Sequence, residues 1–273
     1  MVNRTSPLGT LDEDAVRAAA RLLLDARERR LRIREIPDAI RPRTREDGYR
    51  IQAEWARQAG RPTAGWKIAA TSLAGQRHIN VDGPLAGRLL ADRVLPSGAG
   101  VPFDGNSMRV AEAEFAFRFA RALPPRADRY RVDEVLAAVS SVHPAIEIPD
   151  SRYEDFVAVG AAQLIADDAC ACWFVLGAAV GGRWRDHDYP AHRVVGLRND
   201  RAVAEGSGAN ALGDPRIALA WIANELVAYG PGLAAGDIVT TGTCVVPFAV
   251  DSGDRIAADF GAFGRVEARI GEV

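Results

Sequence analysis

Two glutamates two residues apart, Glu112 and Glu114 in the run RVAEAEFAFRF, form the strongest local pattern in this 273-residue chain. Apolar and polar residues alternate there with period two, the pattern of a β-strand. Ala113, Phe115, Phe117 and Phe119 take one face, and Val110, Glu112, Glu114, Ala116 and Arg118 take the other. Same-face neighbours on a strand have α-carbons roughly 6.5–7 Å apart. Two carboxylates so placed repel unless water or a cation separates them. A third acid, Glu147, lies in the apolar run Ala145-Ile146-Glu147-Ile148, where an unpaired charge is costly. Three carboxylates without a histidine suit a hard divalent cation, Mg²⁺ or Mn²⁺, with waters filling the other positions. The Glu-x-Glu spacing also suits a solvent-facing strand edge. Spacing alone leaves both readings open, and Glu147 favours the metal site.

Lys67, in GWKIAA, is the only lysine among 34 basic residues; the other 33 are arginine. That bias runs through the whole chain and reads as genome composition, so arginine clusters carry little weight in the sequence. The exception at position 67 asks for something arginine lacks. A lysine offers a compact amine that can titrate when buried or near a cation, whereas arginine stays protonated.

Other chemistries lack their signatures. There is no His-Glu-x-x-His, no Cys-x-x-Cys, no Gly-x-Ser-x-Gly elbow and no P-loop. The glycines of Gly206–Gly213 miss the dinucleotide-binding spacing. The four histidines, His78, His143, His187 and His192, form no ligand spacing, and Cys170 and Cys172 sit in an apolar run as small core residues. A formal net charge of −2 points to neither nucleic acid nor an anionic membrane as partner. The three cysteines fit a reducing cytoplasm better than a disulfide framework. No apolar run is long enough for a transmembrane helix, and the first residues lack the apolar core of a signal peptide.

The elements that position these residues can be read in outline. Thr10 and Glu13 have the spacing of a capping box before a helix-forming run that ends in arginines. A second helix is expected over 45–59 with Gly60 closing it, a short one over 132–141, and a long one after Asp214 and Pro215, with Gly230 beyond its end. Strands are expected over 108–120, in a hairpin around Asn199-Asp200, and in two runs entered through Gly-Asp turns at 236–248 and 253–270. Many strands with few βαβ units argue for an α+β protein with a curled mixed sheet. The expected division is a helical segment over 1–62 and a β-rich catalytic part over 63–273.

Taken together, GWKIAATS, RVAEAEFAF, PAIEIPDSR, IADDACACWFVLG and AAGDIVTTGT resemble, in order and over nearly the whole chain, the bacterial 2-keto-4-pentenoate hydratases. Their relatives, the 2-oxohept-4-ene-1,7-dioate hydratases and 4-oxalocrotonate decarboxylases, share these motifs within the fumarylacetoacetase-like superfamily. The resemblance implies an N-terminal helical segment on a mixed β-roll of the fumarylacetoacetase C-terminal-like type, in a homo-oligomer. It implies a Mg²⁺ or Mn²⁺ site on Glu112, Glu114 and Glu147, an active-site lysine at Lys67, and a pocket wall at Gly242 and Thr243. The segment Ala166-Asp167-Asp168-Ala169 corresponds to one in which asparagine usually stands at the position of Asp168. One departure concerns chemistry: Leu85 stands where many relatives carry an active-site aspartate, and Asp82 is the nearest acid that could compensate.

The implied activity is a metal-dependent lyase of a small unsaturated 2-oxo acid, first of all a hydratase that adds water to a conjugated enone. The alternatives are a decarboxylase, a C–C bond hydrolase, or a non-catalytic partner in a complex with a related decarboxylase or hydratase.

Overall fold

The computed structural model describes residues 10–271. Helix α1 (Glu13–Glu28) starts at Asp12, whose carboxylate accepts from Ala15 N at 2.8 Å. The capping box expected at Thr10 and Glu13 therefore does not form. Asp12 is the stronger cap, and Leu11 N is drawn away to Asp47 Oδ1 at 3.0 Å. Helix α2 (Arg45–Ala59) begins at Thr44 and ends at Gly60 with φ 63°, as the sequence led one to expect. The two helices pack through Leu23, Leu24, Ile51 and Trp55, and this cluster continues into Leu90, Tyr153 and Ala166 of the β-rich part.

The remaining chain builds two sheets. Across the larger run β2 (Leu85–Leu90), β1 (Thr63–Ala69), β10 (Ile238–Thr243), β5 (Val110–Phe119), β6 (Val139–Ile148), β7 (Trp173–Leu176) and β3 (Val94–Pro96), with β11 (Phe248–Ala249) also on β5. The β1–β10 and β3–β7 pairs are parallel and the others antiparallel, so the sheet is mixed. The smaller sheet orders β4 (Gly100–Val101), β13 (Arg265–Ile270), β12 (Arg255–Asp259), β8 (Arg193–Arg198) and β9 (Arg201–Ser207). Strands β8 and β9 are the expected hairpin. Its turn residues Asn199 and Asp200 take φ 51° and 63°, the left-handed values a two-residue turn needs.

Short helices α3 (Leu73–His78), α4 (Val132–Ala137) and α5 (Ala161–Ala166) lie between strands. Helix α4 is shorter than expected because Val139 already pairs in β6. The long helix α6 (Pro215–Tyr229) is capped by Asp214. It ends at Gly230 in an extended conformation, φ −146°, and the left-handed turn falls at Gly232 instead. No helix among the described residues is long and apolar enough to cross a membrane.

Strand β5 alternates as predicted. Phe115 packs edge-on against Tyr189 and Phe260, with ring centroids 5.2 and 5.0 Å away. The opposite face is covered too: Glu114 and Ala116 are fully buried. Glu112 and Glu114 therefore do not decorate a solvent-facing edge.

Candidate active site

Strand register assembles the carboxylates. Antiparallel pairing of β5 with β6 sets Glu112 directly opposite Glu147, and Glu114 follows two residues along the same face. Each of the three offers a carboxylate oxygen within 4.8 Å of the other two. Glu114 is 0% and Glu147 1% exposed. Glu114 Oε2 accepts from Thr240 Oγ1 and from Gly242 N, the latter at 3.0 Å. Glu114 Oε1 and Glu147 Oε2 are buried with no hydrogen-bond partner.

Burial pushes the Glu147 carboxyl up to about 7, against the pull of Lys67 beside it. Burial also lifts Glu114 well above the usual carboxylate range, and Glu147 and Glu112 add to the shift. Glu112 is raised by burial as well, with Lys67 opposing. Buried anionic oxygens without partners are costly. Oxygen-only donors converging on one point are the set a hard divalent cation takes. The three glutamates thus fit Mg²⁺ or Mn²⁺.

Lys67 completes the cluster from β1. Its Nζ lies 3.0 Å from Glu147 Oε1 and donates to Ala169 O at 3.1 Å. Strand order puts three inter-strand spacings between β1 and β6, roughly 14 Å on a flat sheet. The contact exists because the sheet curls and brings the two strands face to face. Burial pulls the Lys67 ammonium down, but Glu147, Glu112 and Glu114 outweigh it and hold the group above its ordinary range. Burial alone does not make this lysine a base; the glutamates keep it charged.

Gly87 lies opposite Lys67 in the β1–β2 pair. A β-carbon there would meet Asp168 O at 2.2 Å and Lys67 Cδ at 3.2 Å. Leu85, two residues earlier, is opposite Ala69 and fully buried on the Lys67 face. An apolar side chain thus holds the position where the resemblance leads one to expect an acid.

The turn that receives Lys67 is strained. Asp168, Ala169 and Cys170 take φ 62°, 48° and 64° in succession, and each left-handed non-glycine residue costs on the order of 1–3 kcal/mol. Asp167 and Arg152 hold the turn as a buried ion pair. Ser151 Oγ and Arg152 N donate to Asp167 Oδ2 at 2.8 and 2.9 Å, and Arg152 Nη2 donates to Asp167 O at 2.9 Å. Asp168 Oδ1 accepts from Arg88 N at 2.6 Å. Burial pushes the Asp168 carboxyl up to about 6, against Arg27.

The other expected site residues divide. Gly242, at φ 91°, turns its N–H onto Glu114, and a β-carbon there would lie 2.0 Å from Thr71 Oγ1. Thr243 is level with Glu114 in the sheet, but its hydroxyl donates to Val245 O at 2.7 Å. Asp168 backs the lysine turn rather than joining the three glutamates. Asp82 is not brought in either: its side chain is 90% exposed and lies 4.0 Å from Arg45 Nη1. The roles of Thr71, Thr240, Arg152 and Asp167 are not legible in the sequence, because they rest on contacts between elements that no local spacing encodes.

The chain is similar to known proteins over nearly its whole length. The family model for the C-terminal region of fumarylacetoacetate hydrolase matches residues 48–271. The 2-keto-4-pentenoate hydratase 1 of Dechloromonas aromatica is 34% identical over 92% of this chain and 95% of its own length. A 4-oxalocrotonate decarboxylase of Pseudomonas putida is 30% identical over 95% of this chain and 98% of its own. A solved 4-oxalocrotonate decarboxylase from that species, complexed with magnesium and adipate, matches with a TM-score of 0.87 at 28% identity, over 96% of this chain and 99% of that one. The chain belongs to the fumarylacetoacetate hydrolase family.

Proposed function

We propose that this protein is a divalent-metal-dependent lyase of a small unsaturated 2-oxo acid, and that its reaction is hydration of a conjugated enone of the 2-keto-4-pentenoate type. The observation that carries the reading is the buried Glu112–Glu114–Glu147 set, with two oxygens left without partners and Lys67 against it. The hydratase relatives support the substrate class. A divalent cation held by these glutamates supplies Lewis acidity toward the carboxylate and 2-oxo oxygens of such an acid, where negative charge develops on enolisation.

The protein's own groups have distinct tasks. Thr240 and Gly242 fix the Glu114 carboxylate in orientation. The strained turn at 168–170 holds Lys67 through the Ala169 carbonyl, so its ammonium faces the reacting acid. From there Lys67 anchors the substrate carboxylate or delivers a proton to carbon. Its Nζ is already ion-paired with Glu147, and neutralising that carboxylate would free it to titrate.

A second reading, decarboxylation, is favoured by Leu85. Adding water calls for a group near the far end of the substrate that exchanges a proton, and leucine cannot. An apolar wall instead disfavours a charged leaving carboxylate and so favours its loss as CO₂. Purified metal-loaded protein incubated with 2-keto-4-pentenoate and with 4-oxalocrotonate, followed by mass spectrometry of products and CO₂ release, separates the two. Water addition without CO₂ supports hydration, CO₂ release alone supports decarboxylation, and no turnover of either acid contradicts both. Assembly into a homo-oligomer, or with a related decarboxylase or hydratase, is part of the same proposal.

A further inference from the structure

A cavity of about 290 Å³ has Arg152, Cys172 and Trp173 in its wall; Lys67 and the three glutamates do not line it, and Arg152, which braces the lysine turn, is the residue it shares with the site above. Six arginines line it: Arg27, Arg30, Arg32, Arg61, Arg93 and Arg152. Only three carboxylates share the wall, Glu28, Asp104 and Asp150. The chain is rich in arginine throughout, so the number alone decides nothing. The partners of each guanidinium do.

Arg32 is held by both oxygens of Asp150, at 2.9 and 2.7 Å, and Arg152 by Asp167. Arg61 reaches Asp92 at 3.2 Å, and Arg30 is 3.7 Å from Asp104. Arg93 has no carboxylate within 4.0 Å among the described residues, and its Nε is buried without a hydrogen bond. Its Cζ sits over the Trp173 ring, 4.1 Å from the centroid. Arg27 is stacked over Trp55 at 4.7 Å. Its nearest carboxylate oxygen, Asp168 Oδ2, is 3.8 Å away, and its Nη1 donates only to Ala171 O. Burial and then Arg152 lower the Arg27 guanidinium to about 10, as expected where cations crowd without enough anions.

We propose that this cavity binds a small multivalent oxyanion, a phosphate- or dicarboxylate-bearing metabolite, seated on Arg93 and Arg27. A guanidinium presents a rigid planar fork that matches two oxygens of a carboxylate or phosphate. Contact with an indole face restrains the guanidinium before the ligand arrives, which lowers the ordering cost of binding. The volume is at the small end of ligand pockets and suits a compact polyanion rather than a nucleotide. The site is independent of the reaction assigned to the glutamates.

The test is calorimetric titration of the metal-loaded protein with inorganic phosphate and, separately, with succinate, in low-salt chloride buffer. Binding of either probe at one per chain is expected. Arg93→Gln weakens it at least tenfold and leaves turnover without added anion unchanged. Arg93→Lys keeps the charge but loses the fork and binds between the two; if Arg93→Gln unfolds, Arg93→Lys carries the comparison. Glu114→Gln leaves anion binding intact, which separates this cavity from the glutamate site. The probe that binds more tightly distinguishes phosphate from dicarboxylate chemistry. Failure of both probes to bind, or binding lost in Glu114→Gln and kept in Arg93→Gln, overturns the proposal.

Discussion

Lys67 Nζ on β1 and Glu147 Oε1 on β6 lie 3.0 Å apart with both side chains almost wholly buried. The pair closes a cluster in which one ammonium faces three carboxylates. A buried ion pair is weak evidence for stability, because desolvation of both charges opposes their attraction. This arrangement makes sense as a site prepared for further positive charge, which the two partnerless oxygens on Glu114 and Glu147 invite.

Replacing Lys67 by arginine keeps the charge and removes the compact, titratable amine. The larger head must also fit beside Gly87, where even a β-carbon would come within 3.2 Å of Lys67 Cδ. Turnover is expected to fall by about 10²-fold or more, the usual scale for losing a proton-transfer group. Mn²⁺ affinity should stay within a few-fold of wild type. Steady-state kinetics beside a metal titration checks this; near-normal turnover would reduce Lys67 to a charge anchor.

Metal affinity should depend on pH with a defined sign. Without metal, the Glu147 carboxyl is raised to about 7 by burial, and a cation requires it deprotonated. Protons therefore compete below pH 7. Apparent Mn²⁺ affinity rises with pH, by up to about tenfold per pH unit for each proton the ion displaces, and Glu112 and Glu114, raised by the same burial, add to the rise. Titrations from pH 5.5 to 8.5 read this directly, and affinity that falls with rising pH contradicts it.

Asp168→Asn should stabilise the protein at high pH. The folded-state value of about 6 lies above the ordinary aspartate value of 3.8. The stability linked to this group is complete below pH 3.8 and is lost as pH rises through 6. Asparagine carries no charge to bury, can still accept from Arg88 N, and tolerates the left-handed φ of 62°. The gain at pH 8 is up to about 3 kcal/mol and vanishes near pH 4. Thermal melts at both pH values measure it.

Gly242→Ala should cost at least about 2 kcal/mol, because alanine is strained at positive φ and its β-carbon meets Thr71. It should also weaken metal binding, since Gly242 N orients Glu114. Gly83→Ala serves as a control: a β-carbon there meets nothing within 4 Å, and stability should change by less than about 0.5 kcal/mol.

Much of this site could be read from the sequence because local periodicity carries it. Alternation along Val110–Phe119 put Glu112 and Glu114 on one face, and strand pairing kept them there. Glu147 was suspected from its apolar neighbours, but only the β5–β6 register sets it opposite Glu112. Lys67 stood out by composition, while its contact with Glu147 depends on sheet curvature. The start of α1 was misplaced because two capping residues compete within three positions and Asp12 wins. The Asp167–Arg152 anchor was not legible: it joins β6's exit to a strained turn through burial, which no spacing rule reports.

The most direct test of the account is metal stoichiometry by elemental analysis and Mn²⁺ titration, on wild type and Glu114→Ala, with turnover of 2-oxo acids measured before and after chelation. The account predicts about one ion per wild-type chain, none in Glu114→Ala, and turnover that chelation removes and Mg²⁺ or Mn²⁺ restores. A wild-type protein that holds no ion and turns over unchanged in chelator would contradict it.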